Sequence, residues 1–386
     1  MSGSNYTLYA VPLSLYAGKA RSYMTKQRVP FDEVSTSNPD FFESAFPATK
    51  RIIMPVIRTP EGDVVQDGTG IIDWFEQNGK ATLSAYADDD RLNVVSLIFE
   101  LFGGEGLLRP AMHYRWNKFE ANRATLECGF GTAAAAGQPR DAQLAVIEPL
   151  MDKMRSAGRM FGVLEPVFDL IEQHYEEFLD LLNEHFVTHP YLLGGRPTIG
   201  DYGLITAMFA HLGRDPYPLQ IMVTKAPYVY RWVERMNRPN PDQTEYINYG
   251  TDLFSFADLP QSLLDLLTFI ADDYLPEVRA FVDFTNNYLT ENDVSEGDVI
   301  GGDKPSRRGI GLAEFSYRGV TIPVGVLPYR QWLLQRIQDR FDGLDEASKS
   351  DVTALLDKAG LGDILTARVS RRIERQNNLE MWGATA

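Results

Sequence analysis

The chain has 386 residues, 44% hydrophobic and 23% charged, which is enough apolar material for a globular core and enough length for about two or three domains. Lysine and arginine total 37 against 53 aspartates and glutamates, and a net charge of −16 opposes nonspecific binding to nucleic acid or to an anionic membrane. The single cysteine, Cys128, excludes an internal disulfide and a thiolate metal cluster and fits a reducing cytosol.

No run of apolar residues is long enough to span a bilayer. The start, Met1-Ser2-Gly3-Ser4-Asn5, lacks the basic and apolar regions of a signal peptide, so a cytoplasmic protein is expected. Tyr6 to Val11 reads as a strand ending at Pro12, and Ser14 to Gln27 as a helix with Lys26 at its basic end. Val29 to Val34 reads as a second strand, and Phe41 to Ala45 as a short helical piece ending near Pro47. Pro55 to Thr59 and Asp63 to Gln66 form a hairpin around Pro60-Glu61-Gly62, and Thr69 to Glu76 is a closing helix. Met54-Pro55 opens the third strand, where a proline cannot donate to the ladder and a cis bond is one workable geometry. The order β-α-β-α-β-β-α is a thioredoxin-like layout.

This segment resembles the N-terminal domain of cytosolic glutathione transferases. The resemblance implies that Met54, before the cis Pro55, pairs its backbone with the cysteinyl part of glutathione as an added strand. Asp67-Gly68-Thr69-Gly70-Ile71 is similar to the family's acidic-or-Gln plus Ser motif, so Asp67 is expected to hold the glutathione α-amino group. Gly68 stands where the family has Ser: it keeps the backbone N–H for the γ-glutamyl carboxylate and loses the hydroxyl. Ile53 replaces the family's frequent basic residue, which leaves Lys50 and Arg51 as the cations nearest the glycyl carboxylate. Ser14-Leu15-Tyr16-Ala17-Gly18-Lys19-Ala20-Arg21 resembles the motif of serine-type members, in which Ser14 donates a hydrogen bond to the thiol sulfur. Such a donor favours the nucleophilic thiolate over a thiol whose ordinary pKa is about 8.5. Ser14 equally suits a helix N-cap. Tyr9 and Tyr16 are neighbouring hydroxyls with the same capability.

The next segment reads as helical, with Asp88-Asp89-Asp90 opening the stretch Arg91 to Phe102. Leu107 to Phe119 reads as a helix, Cys128 to Gly137 as a Gly/Ala-rich loop, and Ala142 to Met154 as another helix. Phe168, Ile171, Tyr175, Phe178, Leu182 and Phe186 form an amphipathic stripe. Thr198 and Asp201 make a capping box, and Leu192, Gly194, Pro197, Thr198 and Asp201 resemble the signature of the glutathione transferase C-terminal domain, with Gly200 in place of Ala. Asp201 is therefore a folding element. Ala226 to Met236 resembles a further helix of that domain. The resemblance places a hydrophobic substrate pocket near Phe102, Arg109, Met112, His113 and Trp116. Aromatic and methionine side chains on helices are also ordinary core. His185 and His189 lack a companion acid for a metal and read as solvated surface.

Beyond residue 250, Leu263 to Leu289 reads as one long helix, Gly297 to Gly311 as a polar loop, and Ala313 to Val324 as a hairpin turning at Arg318-Gly319. Leu327 to Phe341 and Ala347 to Ala359 read as helices, and Arg368 to Gln376 as a basic helix or tail. The expected organisation is a thioredoxin-like domain over 1–82, a glutathione-transferase-type helical domain over 88–250, and a mainly helical extension over 251–386. The resemblance implies a cytoplasmic homodimer with glutathione as co-substrate, no metal, and no nucleic-acid or membrane partner. Its activity would be conjugation or thiolysis of a small hydrophobic electrophile, with isomerisation or ether cleavage as a variant. Gly68 and Ile53 point to the alternative, a non-catalytic binding or assembly protein on the same fold.

Overall fold

The computed structural model describes residues 5–247, 249–302, 304 and 307–386. The proposed lack of a signal peptide rests on Met1 to Ser4, which lie outside the described residues, as do positions 303, 305 and 306 of the expected polar loop. In chain order the elements begin with β1 Tyr6–Tyr9, α1 Leu15–Lys26, β2 Phe31–Val34, α2 Phe46–Thr49, β3 Val56–Arg58, β4 Val64–Gln66 and α3 Gly68–Gln77. There follow α4 Asp90–Leu101, α5 Leu108–Asn117, α6 Phe119–Ala135, α7 Arg140–Ala157, α8 Phe168–Thr188, α9 Ile199–Ala210, α10 Pro216–Lys225 and α11 Pro227–Met236. The last part holds α12 Gln261–Asp273, α13 Leu275–Glu291, β5 Gly311–Tyr317, β6 Val320–Val326, α14 Pro328–Asp342, α15 Glu346–Lys358, β7 Arg371–Gln376 and β8 Leu379–Thr385. Among the described residues no helix is long and apolar enough to cross a membrane.

The chain divides into two compact units. The first comprises residues 1–85, 111–158 and 205–244. Its sheet has the order β2-β1-β3-β4, with β1 and β2 parallel and the other pairs antiparallel. Tyr9 and Val56 from the central strands pack against Phe41 and Ala45 on one face. Helix α1 is tied to the end of α11 by the Ser22 hydroxyl, which donates to the Met236 carbonyl at 2.7 Å. The helical piece after β2 does not stop at Pro47, because proline is tolerated in a first turn and Pro47 sits there in α2.

The second unit comprises residues 86–110, 159–204 and 245–386. Asp201 accepts from the Thr198 backbone N–H at 2.9 Å and from Leu192 N–H at 3.1 Å, so the capping box fixes both the start of α9 and the preceding loop. A Cβ on Gly200 would lie 2.8 Å from the Ser96 carbonyl, and one on Gly203 would lie 2.3 Å from the Glu100 Cα. Glycine is thus required at both positions by the close approach of α9 to α4, which explains Gly200 in place of alanine. Glu105, Arg109, Glu277 and Arg330 form a buried ionic network. Arg330 donates to Glu105 at 2.9 Å and to Glu277 at 2.6 Å, and Arg109 donates to the other oxygen of Glu277.

Four expectations need correction. Of the expected loop, Cys128 to Ala135 lies within α6, because its alanines favour helix and Gly129 and Gly131 sit at close packing contacts, and only the end at Gly137 turns. The long helix over 263–289 is broken between α12 and α13, where Pro276 lacks an N–H for the helix ladder. The basic segment from Arg368 contains strand β7, paired with β8 through Asn377 and Asn378, which both adopt positive φ. His185 is fully buried, not solvated: its Nε2 donates to the Leu192 carbonyl at 3.0 Å, and its Nδ1 lies 2.9 Å from the Ser262 hydroxyl.

Burial, then the neighbouring His189, lowers the His185 pKa to about 3. The unfolded chain binds this proton near pH ~6.5 and the folded one does not, so stability is complete above that pH and declines as pH falls toward 3. Urea denaturation at pH 6.5 and pH 5 checks this. His185→Gln should reduce the acid-induced loss by about 2 kcal/mol, at ~1.4 kcal/mol per pH unit.

Candidate active site

The strand β1 ends in a tight turn, with Ser14 N–H donating to the Val11 carbonyl at 2.9 Å. Ser14 then caps α1, its hydroxyl oxygen accepting from Ala17 N–H at 3.4 Å. Accepting that bond leaves the hydroxyl proton free to be donated, so the cap role and a thiol-directed role are compatible. Tyr9 is not an alternative donor: it is buried, and its hydroxyl donates to Asp40 at 2.5 Å. Burial, then Asp40, raises its pKa to about 12. Tyr16 is partly exposed in the first turn of α1.

The Met54-Pro55 bond is cis. Met54 is partly exposed, and its N–H and carbonyl make no hydrogen bond among the described residues. Asp67 N–H donates to the Pro55 carbonyl at 3.0 Å, which brings the start of α3 beside this dipeptide. Asp67 caps α3 by accepting from Gly70 N–H at 3.2 Å, and it does so at φ 85° and ψ 143°, a region that disfavours side chains. Arg51 is buried, with its guanidinium donating to Gln66 at 3.2 Å, whereas Lys50 is exposed at a left-handed helix end.

In the sequence Lys19 is a motif position with no assigned role. Its side chain is buried, and its Nζ donates to the Thr69 hydroxyl at 2.6 Å, in the first turn of α3. A Cβ on Gly68 would meet the Lys19 stem at 3.0 Å, so the absent side chain at 68 makes room for the lysine. The available signal is Gly68 in place of serine together with a lysine at the matching motif position 19.

A cleft of about 390 Å3 lies beside the Ser14 turn. Pro12 and Leu13 form one wall, Ala124, Cys128 and Gly129 of α6 another, and Ala210, Arg214 and Asp215 the floor. A buried arginine, Arg115, organises it. Arg115 donates to both oxygens of Asp215, at 2.7 and 2.9 Å, to the Leu13 carbonyl at 3.1 Å and to the Ala210 carbonyl at 2.8 Å. His211 completes the cluster: with Nδ1 donating to the Ala111 carbonyl, Nε2 is left to accept from Arg115 at 2.6 Å. Burial, then Arg115, holds the His211 pKa well below its ordinary value, so the imidazole is neutral.

The five side chains expected to line a substrate pocket do not border this cleft. In the second unit, Phe102 packs edge-on against Phe178 and Tyr274, and Arg109 belongs to the ionic network. In the first, Met112, His113 and Trp116 are buried, His113 accepting from the Asn117 amide at 2.8 Å and Trp116 stacking on Phe119. The cleft wall is one helix later, in the segment the sequence presented as a loop. Among the described residues no group of three His, Cys, Asp or Glu side chains is arranged to hold a metal.

Residues 8–82 match the family described as "Glutathione S-transferase, N-terminal domain", and residues 165–235 match "Glutathione S-transferase, C-terminal domain". No curated protein matches the sequence significantly. Among solved structures the chain is similar to beta-etherase LigF from Sphingobium sp. strain SYK-6, with 15% identity, 62% of this chain and 98% of that one covered, and a TM-score of 0.42. It is also similar to a glutathione S-transferase from Rhodospirillum rubrum, at 16% identity, 68% and 99% coverage, and a TM-score of 0.38. A third is Ure2p5 from Phanerochaete chrysosporium, cocrystallized with 1-(S-glutathionyl)-2,4-dinitrobenzene, at 12% identity, 64% and 94% coverage, and a TM-score of 0.37.

Arg115→Met leaves the Asp215 charge buried without its partner and should destabilise the protein by about 3–5 kcal/mol in urea denaturation. Adding Asp215→Leu removes the stranded charge, and the double variant should recover part of that loss.

Proposed function

We propose that this chain, a member of the glutathione S-transferase superfamily by its two matched domains, transfers glutathione to a small electrophile held in the cleft beside Ser14. The observation that carries the reading is the unpaired backbone of Met54, lying in one unit with Asp67, the start of α3 and Ser14. A peptide-like ligand needs such groups, since its own N–H and carbonyl must be paired when it leaves water.

In this reading the Met54 backbone pairs with the cysteinyl residue of glutathione, and Asp67 accepts from the α-amino group. The Gly68 N–H, with the Lys19 charge brought to Thr69, receives the γ-glutamyl carboxylate. Lys50 is the exposed cation for the glycyl carboxylate, and Arg51 supports the site by holding Gln66 next to Asp67. Ser14 donates to the sulfur and stabilises the thiolate after its proton passes to solvent. The thiolate attacks the electrophilic carbon, a sulfur–carbon bond forms, and the leaving group departs with the electron pair of the bond that breaks. Ether cleavage is the same step with an alkoxide or phenoxide leaving. A homodimer in the cytosol is the setting the family resemblance implies.

Calorimetric titration with glutathione tests the reading. Binding at millimolar concentration or tighter is expected, and Asp67→Ala should weaken it roughly 10- to 100-fold, the loss of one hydrogen bond to a charged group. Ser14→Ala should lower turnover by a similar factor, about 10- to 100-fold, and raise the pKa of the bound thiol, read by thiolate absorbance. Absence of glutathione binding would instead favour a non-catalytic binding protein on this fold.

A further inference from the structure

Arg214 is the cation of the cleft. It is half-buried, lies over the Phe209 ring at 5.6 Å, and its guanidinium makes no hydrogen bond or ion pair among the described residues. The acids that act on it, Asp215 and Glu33, are both held elsewhere. Asp215 is gripped by Arg115 at 2.7 and 2.9 Å, and Glu33 by Arg21 at 2.7 and 2.6 Å, each in the two-bond arrangement that occupies both carboxylate oxygens. Three guanidinium groups therefore face two carboxylates, and the surplus positive charge rests on the one that lines the cleft. Burial, then Arg21, lowers the Arg214 pKa, yet arginine remains charged. On a chain of net charge −16, such a local excess is a specific feature of this cleft and not a general property of the surface.

Apart from Asp215, which Arg115 occupies, the rest of the lining is mostly small and apolar, with Pro12, Leu13, Ala124, Gly129 and Ala210 beside Thr125, Cys128 and Thr132, and it encloses a volume that suits a single ring or a short chain. We infer that the cleft selects an electrophile with an apolar body and a carboxylate, the carboxylate pairing with Arg214 and the body lying against Leu13 and α6. The geometry of arginine favours a planar carboxylate bound through two parallel hydrogen bonds. The placement sets the acid group on the floor and the reacting carbon toward the Ser14 turn. Selection of this substrate class rests on the glutathione-transfer reading for its chemistry, but recognition of the carboxylate does not require glutathione.

The test uses the full-length protein and two unreactive probes, 3,5-dinitrobenzoate and its methyl ester, with affinities measured by calorimetry. The acid should bind roughly 10-fold or more tightly than the ester, the gain expected for a charge-assisted pair. Arg214→Met should bring that ratio near unity, and Arg214→Lys, which keeps the charge and loses the fork, should retain part of it. Equal binding of acid and ester, no binding of either, or a ratio unmoved in Arg214→Met would overturn the inference. The glutathione titration is read separately. Acid selectivity in a protein that does not bind glutathione sinks the transfer reaction and leaves the recognition standing, while glutathione binding without acid selectivity does the reverse.

Discussion

One guanidinium determines the form of the candidate active site. Arg115 reaches Asp215, the Ala210 carbonyl, His211 and the Leu13 carbonyl from a position with almost no solvent contact. Buried charge of this kind is costly unless every hydrogen-bonding group is matched, and here the five N–H donors of one arginine meet a carboxylate, two backbone oxygens and a ring nitrogen. The Leu13 contact is the functionally telling one, because it fixes the residue immediately before Ser14. Position of the Ser14 hydroxyl, the wall of the cleft and the commitment of Asp215 all follow from this cluster. The freedom of Arg214 follows too, since Asp215 adjoins it in sequence and would otherwise be its obvious partner.

The second adjustment concerns the start of α3. Read as an isolated position, Gly68 is a missing hydroxyl. In the fold it is the space occupied by the Lys19 stem, whose ammonium ends on Thr69 in the same helical turn. In the proposed reading the lysine charge brought from α1 to the start of α3 takes over from the absent hydroxyl in receiving an anion. Ile53 has no comparable replacement: Arg51 is turned inward to Gln66, and Lys50 alone remains exposed at that end.

The sequence carried the first unit's sheet well because its signals are local: strand residues bounded by prolines, Pro55 ahead of β3, and a turn before α3. The capping box at Thr198 and Asp201 was equally plain, since both partners lie within one turn. The cleft was hidden by a conflict between two readings of glycine. Gly129 and Gly131 suggested a loop, but a Cβ at Gly129 would touch Leu13 at 3.1 Å and one at Gly131 would press on Gln143. Those glycines serve contact between distant segments, which no local pattern reveals. Arg115 and Arg109 show the same limit, for each is an ordinary helical arginine until its partners, about a hundred residues or more away, are in place. The Asn377-Asn378 turn carries a local signal, two residues that tolerate positive φ, but the arginines of β7 give that strand the charge pattern of an exposed helix or tail.

The ionic network of the second unit ties together segments that are far apart in the chain. Glu105 and Arg109 come from the segment after α4 and from α5, while Glu277 and Arg330 come from α13 and α14, beyond residue 250. Cutting the chain at that border would strand a carboxylate and a guanidinium in an apolar interior, each at a penalty of several kcal/mol against a total stability of only about 5–15 kcal/mol. The segment beyond residue 250 is thus part of the interior of the second unit and not an appendage to it. Its removal would leave the second unit with an incomplete interior, so the unit and the segment beyond residue 250 stand or fall together.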